Sequence, residues 1–194
     1  MAMTTEDADK LEVEVREKLG DTESWPHPVG FPDSLALCAL NSVYSLRGTS
    51  AAGRNVMRRY RAHRQEQGAN PDYDDGSDLL EAIDHVGGPE RFASEVLRNR
   101  TKLSSTGRYK AEGLYEGVHA LVQCGVNTAE DLRKATHEGR ETLSREWLKT
   151  RGLGPASWDY LVMNAEIEDI KVDTMIRRFF ERAIGNPSPR PESR

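Results

Sequence analysis

The sequence predicts an all-α protein. Apolar residues recur at helical spacing in every long segment, connectors are short and punctuated by glycine, proline or capping residues, and β-branched alternation is almost absent. Only Ile170 to Val172 is suited to an extended conformation. Such a pattern places helices against helices around a common core.

The elements follow in order. Lys10 to Leu19 reads as a short charged helix, and Gly20 to Pro32, with three prolines, as a connector. Asp33 is the expected N-cap of the apolar run Leu35 to Leu46. Gly48 to Gly53 breaks that run, and Asn55 to Gln67 forms an arginine-rich helix ending at Gly68. After a polar loop from Asn70 to Asp75, Ser77 to Val86 carries Leu79, Leu80 and Ile83 on one face. Gly87, Gly88 and Pro89 end it, and Pro89 opens a helix to about Arg98. Arg108 to Cys124 has a stripe of Leu114, Val118, Leu121 and Val122. Thr128 caps Ala129 to Thr136, with Asp131 placed for a capping box. Thr142 to Lys149, Pro155 to Ala165 and Thr174 to Ala183 complete the set. The domain reading is an acidic helix and connector at 1–32 that packs with the C-terminal part, a core at 33–150, a hairpin turn with two further helices at 151–185, and a disordered Pro-rich tail at 186–194.

At 194 residues the chain can bury one good core or two small ones. It has no run of about 18 apolar residues, which excludes a membrane-spanning helix. The N-terminus carries no apolar signal core, so the expected location is the cytoplasm, at the nucleoid in a prokaryote. Cys38 and Cys124 lie in apolar helical contexts without zinc-like spacing, and two cysteines cannot hold an iron–sulfur cluster alone. The five histidines form no metal-binding pattern, and neither a P-loop nor a G-x-S-x-G elbow is present. No metal is required by this reading.

The net charge is −5, but residues 1–24 hold eight acids and three bases, which leaves the remaining 170 residues balanced. Ser34 to Gln65 contains no acid and includes Arg47, Arg54 and Arg58; Val96 to Ala111 contains no acid and includes Arg108 and Lys110. These five residues are the expected basic patch, since local charge matters more for phosphate binding than the sum. The bland alternative is a solvated helix face.

The most informative stretch is Arg151-Gly152-Leu153-Gly154-Pro155-Ala156-Ser157. Positive φ is cheap at both glycines, Leu153 is placed to tuck between the helices, and Pro155 suits the first helical position. The N–H groups of Gly154, Ala156 and Ser157 would then face outward at the positive end of a helix dipole and take a phosphate without reading sequence. Asp173 follows at the start of the next helix. It can be an N-cap, or a carboxylate that orients water and stabilises an oxocarbenium-like sugar.

Together the G-L-G-P-A-S hinge and the V-D-T-M-I-R-R segment resemble the helix-hairpin-helix DNA glycosylase superfamily that includes endonuclease III and the adenine glycosylases. G-R-Y-K-A-E-G-L-Y-E-G-V is similar to its basic-Ala-Glu helix, and L-A-L-C-A-L-N-S-V-Y-S-L to its apolar helix ending in a duplex-probing residue. The resemblance spans about Asp33 to Ala183 and implies a helical bundle of that type, with a helix-hairpin-helix motif and a reduced second domain. It puts the catalytic aspartate at Asp173, phosphate binding at Arg151, Gly152, Gly154, Ala156 and Ser157, and candidates for base pocket or duplex probe at Asn41, Tyr44 and Trp158. Trp158 and Trp147 also read as core residues. Bifunctional members carry a nucleophilic lysine where this chain has Ala156, so a Schiff base cannot form there. The iron–sulfur tail is absent.

The implied function is a monofunctional glycosylase of base-excision repair that binds double-stranded DNA as a monomer and hydrolyses the N-glycosidic bond of a damaged or modified base. It needs no organic cofactor; the resemblance admits a monovalent cation at the hairpin. The alternative is an inactive helix-hairpin-helix module that binds DNA structure or a protein.

Overall fold

The computed structural model describes residues 4–21, 24, 29–167 and 174–185. Its described elements are helical, with one isolated antiparallel bridge between Lys102 and Tyr109. The all-α expectation therefore holds. The chain divides into two compact units, one of residues 1–28 with 171–194 and one of residues 29–170. The hairpin thus belongs with the central helices.

In the smaller unit α1 (Thr5–Leu19) packs against α9 (Thr174–Ala183). Helix α1 starts five residues before the expected point, because Thr4 and Asp7 form a reciprocal capping box.

The larger unit is organised around α2 (Leu35–Tyr44). Every residue of α2 except Asn41 is buried, as befits a helix apolar all round. Its cap is Ser34, not Asp33: the hydroxyl accepts from the Leu37 N–H and donates to the carbonyls of Pro71 and Asp74. Helix α3 (Ser50–Glu66) is capped by Thr49 and runs through Gly53, so the expected break is shorter than the glycines suggested. An Asp74 carboxylate, nearly fully buried, ties α3 down by accepting from the Tyr60 hydroxyl at 2.6 Å and from Arg64 Nε at 2.7 Å.

Helix α4 (Gly76–His85) has an Asp75–Asp78 capping box. The short α5 (Pro89–Arg91) passes into a π-turn over Phe92–Val96 rather than continuing to Arg98. Helix α6 (Lys110–Gln123) and α7 (Ala129–Leu148) follow. The two helices expected over 129–149 are joined into α7, with non-helical geometry at Gly139 marking the boundary between them. Helix α8 (Pro155–Asn164) makes the most extensive packing with α2.

Candidate nucleic-acid interface

Between α7 and α8 the chain reverses at Thr150–Gly154. Gly152 has φ +99°, a left-handed conformation that favours glycine, and a Cβ there would meet Leu103 Cβ and Thr106 Cγ2 at 2.9 Å. Gly154 differs from the expectation. Its φ is −114°, which any residue adopts, and the space beside it is open. Leu153 is buried and lies over Gly113 and Gly117 of α6, so the turn is held from below by small residues.

Among the described residues, the N–H groups of Gly152, Gly154 and Ala156 have no protein acceptor. Ser157 does not join them. Its N–H donates to the Gly154 carbonyl at 2.8 Å, and its fully buried hydroxyl donates to the same oxygen while accepting from Trp147 Nε1 at 2.9 Å. Ser157 is a clamp between the hairpin helices, because closing the first turn of α8 consumes its donors. Arg151 is exposed. The Thr150 and Gly154 carbonyls are occupied by Leu153 and Ser157, whereas those of Arg151, Gly152 and Leu153 accept nothing among the described residues.

A hollow of about 830 Å³ opens between α2 and α3. Arg54, Arg58, Arg61 and Gln65 line it from α3, recurring at helical spacing on one face; Asn41 and Ser45 line it from α2, Tyr160 from α8, and Phe31 from the preceding connector. No carboxylate lines it among the described residues. Arg61 is paired, its Nε 2.9 Å from Asp72 Oδ1, and its guanidinium sits 5.5 Å from the Phe31 ring centroid. Arg54 and Arg58 are exposed and pair with no described carboxylate.

Asn41 is placed in this wall and tied to two neighbours. Its Nδ2 donates to Asn164 Oδ1 at 2.8 Å, and its Oδ1 accepts from the Ser45 hydroxyl at 3.2 Å. Asn164 in turn donates to the Tyr160 carbonyl at 2.6 Å. Tyr44 and Trp158 do not reach the hollow. Both are buried, and the Tyr44 hydroxyl and Trp158 Nε1 find no partner among the described residues. Their aromatic surface completes the core, so neither can stack on a base.

The basic patch is smaller than expected. Lys110 is 4% exposed and donates to the Leu46 carbonyl at 2.6 Å, closing the C-terminus of α2. Loss of water around this ammonium, with no carboxylate to compensate, lowers its pKa from the ordinary lysine value. Arg108 is held by Glu116, its Nη1 2.9 Å from Oε2, and lies near Glu112. Arg47, Arg54 and Arg58 remain as exposed cations. Asp173 lies outside the described residues.

Tyr160, Phe31 and Gln65 were not anticipated from sequence, and Arg61 only as one arginine of the acid-free run. The repeat 54, 58, 61, 65 carried a signal for the latter two, because the spacing alone puts them beside Arg54 and Arg58. Tyr160 and Phe31 come from segments far apart in the chain and gave none.

A family model described as a domain of unknown function (DUF8548) matches residues 9–194. No curated protein and no solved structure matches the chain.

Proposed function

We infer that this chain, which belongs to the DUF8548 family, is a monofunctional DNA glycosylase that removes a damaged or modified base from duplex DNA. One observation carries the reading. Helix α8 starts at a hairpin whose Gly152, Gly154 and Ala156 N–H groups are unused among the described residues, and five residues beyond Pro155 it supplies Tyr160 to the wall of a nucleotide-sized hollow. Five residues are about 8 Å along a helix axis. A phosphate at the hairpin and a base in the hollow are therefore within reach of one nucleotide and its neighbour.

In this reading the hairpin fixes the backbone, and Arg151, Arg54 and Arg58 add sequence-independent attraction. The base leaves the stack at a cost of a few kcal/mol. Asp173, identified by its resemblance to the catalytic aspartate, orients water and stabilises the sugar cation as the glycosidic bond breaks. Ala156 supplies no amine, so the reaction stops at an abasic site.

A second reading is favoured by one feature. The described lining of the hollow holds no acid, so all the chemistry depends on Asp173. Without it the same surfaces make a DNA-structure-binding module. Base release from lesion-bearing duplexes separates the two: the enzyme gives free base and an unbroken abasic strand, and the module gives salt-dependent binding alone.

A further inference from the structure

We propose that the hollow between α2 and α3 selects bases with an anionic edge, such as a ring carboxylate, and rejects the cationic bases that ring alkylation produces. The idea rests on the glycosylase reading for the source of the base, but its binding test does not.

The charge of the lining carries it. Arg54, Arg58 and Arg61 stand on one face of α3 at intervals of four and three residues. Asp72 neutralises Arg61. Arg54 and Arg58 have no such partner, and no lining residue bears a negative charge among the described residues. Two uncompensated guanidiniums raise the local potential and repel a cation. They also present forked donors that match a carboxylate in two-point geometry.

The other wall is suited to a ring rather than to a bare ion. Tyr160 offers an aromatic side chain, and Asn41 is held by Asn164 and Ser45 so that one Nδ2 hydrogen is left over as a donor. The volume, about 830 Å³, lies within the range of small-molecule sites and exceeds what an inorganic anion would fill. A cationic base would find aromatic surface here but no carboxylate, and would face both arginines.

The test is titration of the full chain with four probes followed by calorimetry. These are orotidine, which is uridine with a ring carboxylate; uridine; uridine monophosphate; and guanosine methylated on its imidazole ring, a cation. Orotidine should bind roughly tenfold or more tightly than uridine, with the difference shrinking as salt rises. Arg54→Gln with Arg58→Gln should erase the difference, whereas Arg145→Gln, on the exposed face of α7, should keep it. The proposal is overturned if orotidine binds no better than uridine, if the cation binds as well as orotidine, or if uridine monophosphate matches orotidine, since the last would assign the arginines to phosphate. Absence of base release from every duplex by the wild type would end the glycosylase reading and leave the orotidine result standing.

Discussion

Asn41 Nδ2 donates to Asn164 Oδ1 at 2.8 Å, joining α2 to α8 across 123 positions of sequence. Both residues lie at the seam where the two central helices pack, and Asn164 also donates to the Tyr160 carbonyl. The bond therefore sets the distance between the hollow's asparagine wall and the helix that bears the hairpin.

Asn164→Ala should cost about 1–3 kcal/mol, because it strands the Asn41 amide at a partly buried position. Urea unfolding measures it. A midpoint equal to that of the wild type would mean that the amide pair contributes nothing to holding α2 on α8.

The two hinge glycines should part company. Gly152→Ala combines a left-handed φ with contacts of 2.9 Å to Leu103 and Thr106, and should destabilise by about 1–3 kcal/mol. Gly154→Ala meets open space at φ −114°, and should cost a few tenths of a kcal/mol as a poorer cap. Thermal melting of the two variants side by side checks this; equal losses would contradict the geometry of the turn.

Lys110 gives a pH signature. Its folded-state pKa lies below the ordinary lysine value of 10.5, so the unfolded chain holds the proton more tightly than the folded one. Its burial cost is thus present in full below the folded pKa and is relieved as pH rises from there toward 10.5. The stability of wild type relative to Lys110→Met should rise over that alkaline window. A flat difference in denaturant titrations from neutral pH upward would show that the ammonium is well solvated.

How much of this was readable before folding depends on whether a feature is local. Helix α9 was bounded correctly and α4 to within a residue, because their caps and stripes lie in the segment itself. The Gly152 reversal was legible for the same reason. Gly53 was misjudged, since a glycine inside a helix costs only about 1 kcal/mol and Thr49 caps the longer helix. Trp158 was read both as core and as a base-pocket candidate, and Tyr44 and Lys110 as surface candidates, because a helix period alone does not say which neighbour covers a face. Ser157 was lost because its N–H and its hydroxyl both turn back to the Gly154 carbonyl, and Trp147, ten residues earlier in the chain, holds that hydroxyl in place. The hollow itself draws on Phe31, α2, α3 and Tyr160, and no pattern links them.

The hairpin should bind phosphate through its backbone. Gly154→Pro removes one of the hairpin's N–H groups that lack an acceptor among the described residues, without adding charge, and should weaken affinity for duplex DNA about equally across sequences. Fluorescence anisotropy at two salt concentrations tests it. Unchanged affinity in a folded variant would place DNA elsewhere on the molecule.

Base release from a panel of lesion-bearing duplexes, compared between wild type and Asp173→Asn with DNA binding followed in parallel, tests the central claim most directly. The expected result is release of at least one base by the wild type, a loss of roughly a hundredfold or more in the variant, and binding within a few-fold. Full release by Asp173→Asn, or no release from any duplex by the wild type, would contradict it.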